Sequence, residues 1–225
     1  RHNEEIAVHK IEDMWITPGP RPNGLQASEE GLWVIDAGNN HVYLLDYETG
    51  QPHVDVETET YKSSGITAIR EELWVSSTHN SRIYRLEKDG STIEYFDPPG
   101  LNDVDPRDSG PDYIRPHGLE WMNNSTVWVS VKPALRNYLF DISTRRIIKS
   151  IPTPGVAPHG LAWDGEGLWC ADRASGTIHK LEPSSGVVMD EIKVQEPELH
   201  GLTIHENYLW FCCDPSRRVC RIQLD

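Results

Sequence analysis

The feature that most constrains this chain is internal repetition. Five segments align on a Gly followed nine or ten residues later by a Trp, beginning at Asn23, Ser64, His117, His159 and His200. The repeat glycines, Gly24, Gly65, Gly118, Gly160 and Gly201, are 41, 53, 42 and 41 residues apart. A period in the low forties with Gly at one end and Trp inside is the length of one four-stranded propeller blade. A linear stack of such units would need capping repeats, which the sequence does not show.

Each unit parses into strands. A short apolar stretch (LEW, LAW, LTI) leads through a polar turn into a Trp-led strand (LWVI, LWVS, VWVS, LWCA, LWFC). A third strand (HVYLLD, RIYRLE, TIHKLE) and a fourth (HVDVET, TIEYFD, VMDEIK) follow, separated by turns such as ETGQ and PSSG. Trp33, Trp74, Trp128, Trp169 and Trp210 share one repeat position and read as packing between blades. The fifth unit stops after its third strand, and the stretch from Ile6 to Ile16 has strand character and precedes the first inner strand. The expectation is one all-β domain over 1–225, a five-bladed β-propeller with blades starting near 22, 63, 116, 158 and 199 and with residues 6–16 completing the fifth.

Composition excludes whole classes of partner. Against 21 basic side chains stand 35 acidic ones, for a formal charge of −14, so nucleic acid and anionic membrane surfaces are not expected partners. No apolar run approaches the ~20 residues of a spanning helix. Cys170, Cys212, Cys213 and Cys220 have no metal-ligand spacing and read as buried thiols, which favours a reducing, cytoplasmic compartment. The first residue is Arg1 and not Met, which fits a processed N-terminus. A monomer acting on a small molecule is the expected form.

In a propeller the start of each inner strand and the loop between second and third strands lie around one mouth of the central channel. The first set supplies Asn23, Ser64, His117, His159 and His200. Neutral imidazoles in three consecutive blades can bind a divalent metal and leave positions open for water or substrate. The structural alternative is a Pro-His-Gly motif copied with its blade, the imidazole capping loop carbonyls. His79 falls in a second-to-third strand loop on the same face, as a fourth ligand, a general base or an ordinary solvated loop His. Lys132, Arg173 and Asp214 occupy the corresponding loops of the last three blades and suit either a polar, carboxylate-bearing ligand or ordinary ion pairs between blades.

The 53-residue spacing inserts LNDVDPRDSGPDYIR ahead of His117. Its Asp103, Asp105, Asp108 and Asp112 invite a calcium reading, but Ile114 stands where an EF-hand loop needs Glu. Tyr113 is the better candidate as general acid or base, and Arg115 as an anion clamp, the alternative for either being a staple of the loop to the barrel.

The units PHGLAWDGEGLWCADRASGTIHKLEPSSG and PHGLEWMNNSTVWVS resemble blades of the virginiamycin B lyase, gluconolactonase and NHL-repeat group of propellers. The resemblance implies the fold, a divalent cation near the channel mouth, and lactone hydrolysis or elimination. The similar propeller lyase that cleaves peptidyl-hydroxyglycines holds zinc with channel His, which His117, His159 and His200 resemble. Those enzymes carry six or seven blades where this chain has five units, and gluconolactonases use acidic and Asn ligands, which Asn23 matches in part. The expected activity is a metal-dependent lyase or hydrolase acting on a small polar substrate. His117, His159 and His200 would hold the metal (zinc, iron, manganese, magnesium or calcium), Tyr113 or His79 would move the proton, and Arg115 or Arg173 would anchor an anionic group. The alternative is a non-catalytic propeller that binds a protein or glycan through its loop face.

Overall fold

The computed structural model describes residues 9–103 and 114–225. Among them, twenty strands form five four-stranded antiparallel sheets arranged as the blades of a propeller, with no α-helix. Four blades span 22–57, 65–96, 115–152 and 158–193, their strands in chain order from the channel to the rim. The turns between third and fourth strands are built by the polar residues the sequence places there. In blade one, the Asp46 carboxylate accepts the backbone N–H groups of Glu48 and Thr49, and Gly50 takes the left-handed φ of 69° that ends the turn. Asp141 does the same for Ser143 and Thr144, and Glu182 for Ser184 and Ser185.

The fifth blade is closed by the N-terminal segment, as the sequence implies. Its strand spans Ile11–Ile16 and pairs antiparallel with Arg218–Gln223, Ile11 opposite Ile222 and Ile16 opposite Arg218. His9 and Lys10 precede it without pairing, and residues 6–8 of the expected 6–16 lie outside the described residues. The Trp15 indole N–H donates to the Tyr47 carbonyl at 3.0 Å, so the closing strand is tied to blade one as well as to its own sheet.

Every repeat Trp is buried, and each packs onto the following blade. Trp33 lies against Ile66, Leu73 and Val75, and Trp74 against Leu119, Val127 and Val129. Trp128 meets Leu161 and Leu168, Trp169 meets Leu199 and Leu209, and Trp210 meets Leu25 and Leu32 of the first blade. Burying one such ring is worth about 3 kcal/mol or more, and the cycle of contacts is what locks the ring shut.

The repeat glycines have a different cause. Around the axis of a five-bladed ring, neighbouring inner strands come together more closely than a side chain allows. A Cβ on Gly65 would lie 2.1 Å from the His117 carbonyl oxygen, one on Gly118 2.2 Å from that of His159, and one on Gly201 2.8 Å from the Gly24 Cα. Two residues further along, Gln26, Thr67, Glu120, Ala162 and Thr203 fill the axis beneath the mouth, all buried. They bond across blades: the Thr67 hydroxyl donates to Gln26 Oε1 at 2.7 Å, and Thr203 Oγ1 accepts the Ala27 N–H at 2.8 Å. Burial pushes the Glu120 carboxyl in this plug well above the usual carboxylate range.

Candidate functional site

Above the plug, the mouth of the channel is a cavity of about 340 Å³. His117, His159 and His200 line it together. The rings meet edge to face, with centroids 4.8 Å apart for His117 and His159 and 4.5 Å apart for His159 and His200. Each is at most 6 % exposed, which makes them part of the wall.

Backbone carbonyls set two of the three tautomers. His117 Nδ1 lies 2.9 Å from the Arg115 carbonyl, and His200 Nδ1 2.7 Å from that of Glu198. A carbonyl only accepts, so both Nδ1 atoms carry the proton and both Nε2 atoms keep a lone pair. The structural role considered for these His is therefore present in two of them, and it coexists with a free ring nitrogen. His159 differs: its ring makes no bond to the equivalent carbonyl, that of Ala157, which accepts the Arg173 N–H at 3.0 Å just as the Glu198 carbonyl accepts the Asp214 N–H. His159 Nδ1 is buried without a partner, in the middle of the group.

Five cationic side chains share the cavity: Arg21, Lys62, Arg115, Lys132 and Arg173. Arg21, Lys62 and Arg115 stand three residues before the repeat glycines of the first three blades, while Lys132 and Arg173 come from the second-to-third strand loops. Of the two readings of Asp214, the ion pair between blades is the one the structure shows: the side chain is buried and engaged. Its carboxylate accepts from Arg21 Nε at 3.0 Å and Nη2 at 2.9 Å and from Asn23 Nδ2 at 3.0 Å, and lies 3.9 Å from His200 Nε2. Asn23 thus orients a carboxylate, and Ser64 takes the Thr78 hydroxyl at 2.8 Å.

The charges act on one another. Burial, then Lys132, hold His117 down to about 3. Burial and the two flanking imidazoles hold His159 well below the ordinary range, and burial lowers His200 although Asp214 opposes it. All three are neutral near pH 7. Lys132 is itself lowered by burial and then by Arg173. His79 sits exposed on the cavity rim, edge to face with Tyr61, and is lowered by partial burial and then by Arg115. Tyr113 lies outside the described residues, as do Asp105, Asp108 and Asp112; Asp103 accepts the Tyr138 hydroxyl.

This environment weighs against the metal expected from the sequence. Locked Nδ1–H tautomers are what metal-binding imidazoles show. Yet among the described residues no group of three or more His, Cys, Asp or Glu is spaced to hold a metal ion. Burial first, and nearby cations after it, lower all three imidazoles, and Asp214, the carboxylate beside them, is taken by Arg21 and Asn23. The donor set fits an anion better than a dication. Sequence reasoning missed Arg21 and Lys62. The signal existed in their shared position before the repeat glycine, but Arg, Lys, Arg, Ala and Glu at that position do not read as a motif.

No family model matches the chain, and no curated protein matches it in sequence. Solved structures do. Glutaminyl cyclase of Myxococcus xanthus superposes with a TM-score of 0.75 at 12% identity, covering 96% of this chain and 97% of that one. A catalytically inactive virginiamycin B lyase from Staphylococcus aureus, crystallised with quinupristin, gives 0.56 at 19% identity over 96% and 71% of the two chains. The WD40 propeller domain of Doa1 gives 0.59 at 9% identity over 89% and 63%. The fold is thus that of a β-propeller whose neighbours include the virginiamycin B lyases, as the repeat resemblance implied. It is shared by enzymes and WD40 propellers alike, so activity has to be argued from the mouth of the channel.

Proposed function

We propose that the channel mouth binds a small substrate through an anionic group, a carboxylate or phosphate, and that an imidazole moves a proton on it in a lyase or hydrolase reaction. The observation that carries this reading is the convergence of five cationic side chains and three neutral imidazoles on one cavity in a protein of net charge −14. Arg115 and Arg173 anchor the anion, since guanidinium offers paired donors to a carboxylate or phosphate. His79 is the proton acceptor: it is exposed on the rim, holds a pKa below the ordinary value, and so is an unprotonated base at neutral pH. Tyr113, two residues before Arg115, belongs to the same proposal as a proton donor. The test is titration with inorganic phosphate at low salt. One site is expected, weakened about tenfold or more in Arg173→Gln; absence of binding, or binding indifferent to that substitution, rejects the reading.

The second reading is the metal-dependent lyase or hydrolase with His117, His159 and His200 as ligands. The Nδ1–H tautomers of His117 and His200, which leave Nε2 as donor, favour it. It requires stoichiometric metal in the purified protein that falls in His159→Ala. Absence of metal, or unchanged content in the variant, removes it.

A further inference from the structure

Next to the cationic mouth lies a second cavity of about 410 Å³, lined by Arg115, Lys132, Pro133, Leu135 and Val156. It shares Arg115 and Lys132 with the first, and its remaining walls are apolar. Two loops build it: 133–135, between second and third strands of blade three, and 153–157, leading into blade four. Both are held in place. Thr153 donates its backbone N–H to the Leu135 carbonyl at 2.9 Å and its hydroxyl to the same atom at 3.1 Å, and the Ala157 N–H donates to Asp172 Oδ1 at 2.9 Å. The groove is thus tied to both blades by hydrogen bonds.

Two side chains on this groove are placed against local preference. Leu135 adopts a φ of 52°, where Gly or Asn would be at ease, yet the residue is a branched aliphatic. Val156 is 68 % exposed, at the edge of a polar mouth. Exposed single apolar residues are ordinary, but here Pro133, Leu135 and Val156 face one space whose inner wall is the pair Arg115 and Lys132.

We infer that the substrate is an amphiphilic monoanion: its carboxylate is held by Arg115, Lys132 and Arg173, and an aliphatic or aryl arm lies along Pro133, Leu135 and Val156. The inference rests on the anion reading above and adds the substrate class. Charge complementarity fixes which end of the molecule enters the mouth, and the apolar walls fix what the other end can be. A dianion such as succinate would set its second carboxylate beside Leu135 and Val156, which offer it no polar partner. Leu135 and Val156 are thus specificity-determining positions.

The experiment compares acetate and hexanoate by ligand-observed NMR titration on the full chain. Hexanoate is expected to bind about tenfold or more tighter than acetate, the gain of laying several methylenes on an apolar wall. In a Leu135→Asn, Val156→Ser double variant that ratio falls to near one, while Arg173→Gln weakens both ligands alike. Equal affinities in wild type, or a preference that survives the double variant, with Arg173→Gln still weakening both, overturns the groove and leaves the anion site standing. If neither carboxylate binds and Arg173→Gln changes nothing, the anion site itself falls and the groove with it.

Discussion

At the scale of single residues, the ring of blades depends on positions where nothing fits but hydrogen. Gly65→Ala and Gly118→Ala would force a Cβ to 2.1 and 2.2 Å from the carbonyl oxygens of His117 and His159, backbone atoms that cannot step aside without moving a strand. Each substitution is expected to cost about 3 kcal/mol or more in denaturant unfolding. Gly165 is the control: its φ of 96° strains any other residue, but a Cβ there meets nothing within 4 Å, so Gly165→Ala should cost about 1 kcal/mol. Equal losses at all three would contradict the close-approach account. These glycines and the His beside them were visible in the sequence because duplication copied them. Arg21 and Lys62 were not, because their meaning depends on the ring closing: each contributes one charge from its own blade, and only the shared mouth makes five charges a site.

At the scale of elements, the closing strand and the loops carry the argument. Trp15 is partly buried, packs over Gly50 and bonds the Tyr47 carbonyl, so it joins the last blade to the first. Trp15→Ala is expected to destabilise the fold by about 2 kcal/mol, read as a lowered melting temperature, with the sheets otherwise intact. No change would mean that the strand is ornamental to closure. That a terminal segment completes the fifth blade was legible from a missing fourth strand; where it starts was not. Among the described residues Arg218–Gln223 pairs as far as Ile11, and His9 and Lys10 stand unpaired ahead of it. The side-chain identity of Asp214 likewise left two readings open, a ligand contact and an ion pair between blades. Which of them holds is decided only when the guanidinium of Arg21, 193 residues earlier in sequence, is seen to occupy the carboxylate.

At the scale of the whole molecule, charge is segregated: a protein of net charge −14 gathers cations at one opening and buries three neutral imidazoles there. This has a consequence for stability. The folded pKa values of His117, His159 and His200 lie below the 6.5 of an unfolded chain, so below that pH the unfolded state binds more protons and stability falls. The loss starts near pH 6.5 and continues toward about 3 for His117. Glu120 acts oppositely, because its raised pKa costs stability as pH rises above 4.5, but one carboxyl is set against three imidazoles. The melting temperature should therefore drop steadily between pH 6.5 and 4.5, and a flat profile there would contradict the burial of neutral imidazoles.

The central claim is that the mouth is an anion site walled by neutral imidazoles, and it is tested most directly by NMR of protein labelled with ¹⁵N at histidine. At pH 7 the account predicts neutral rings, with Nδ1–H tautomers for His117 and His200. Adding hexanoate should shift the resonances of His117, His159 and His200, and the shifts should be lost in Arg173→Gln. Imidazoles that ignore the carboxylate, but move to a metal-bound pattern at one equivalent of Zn²⁺, would contradict it.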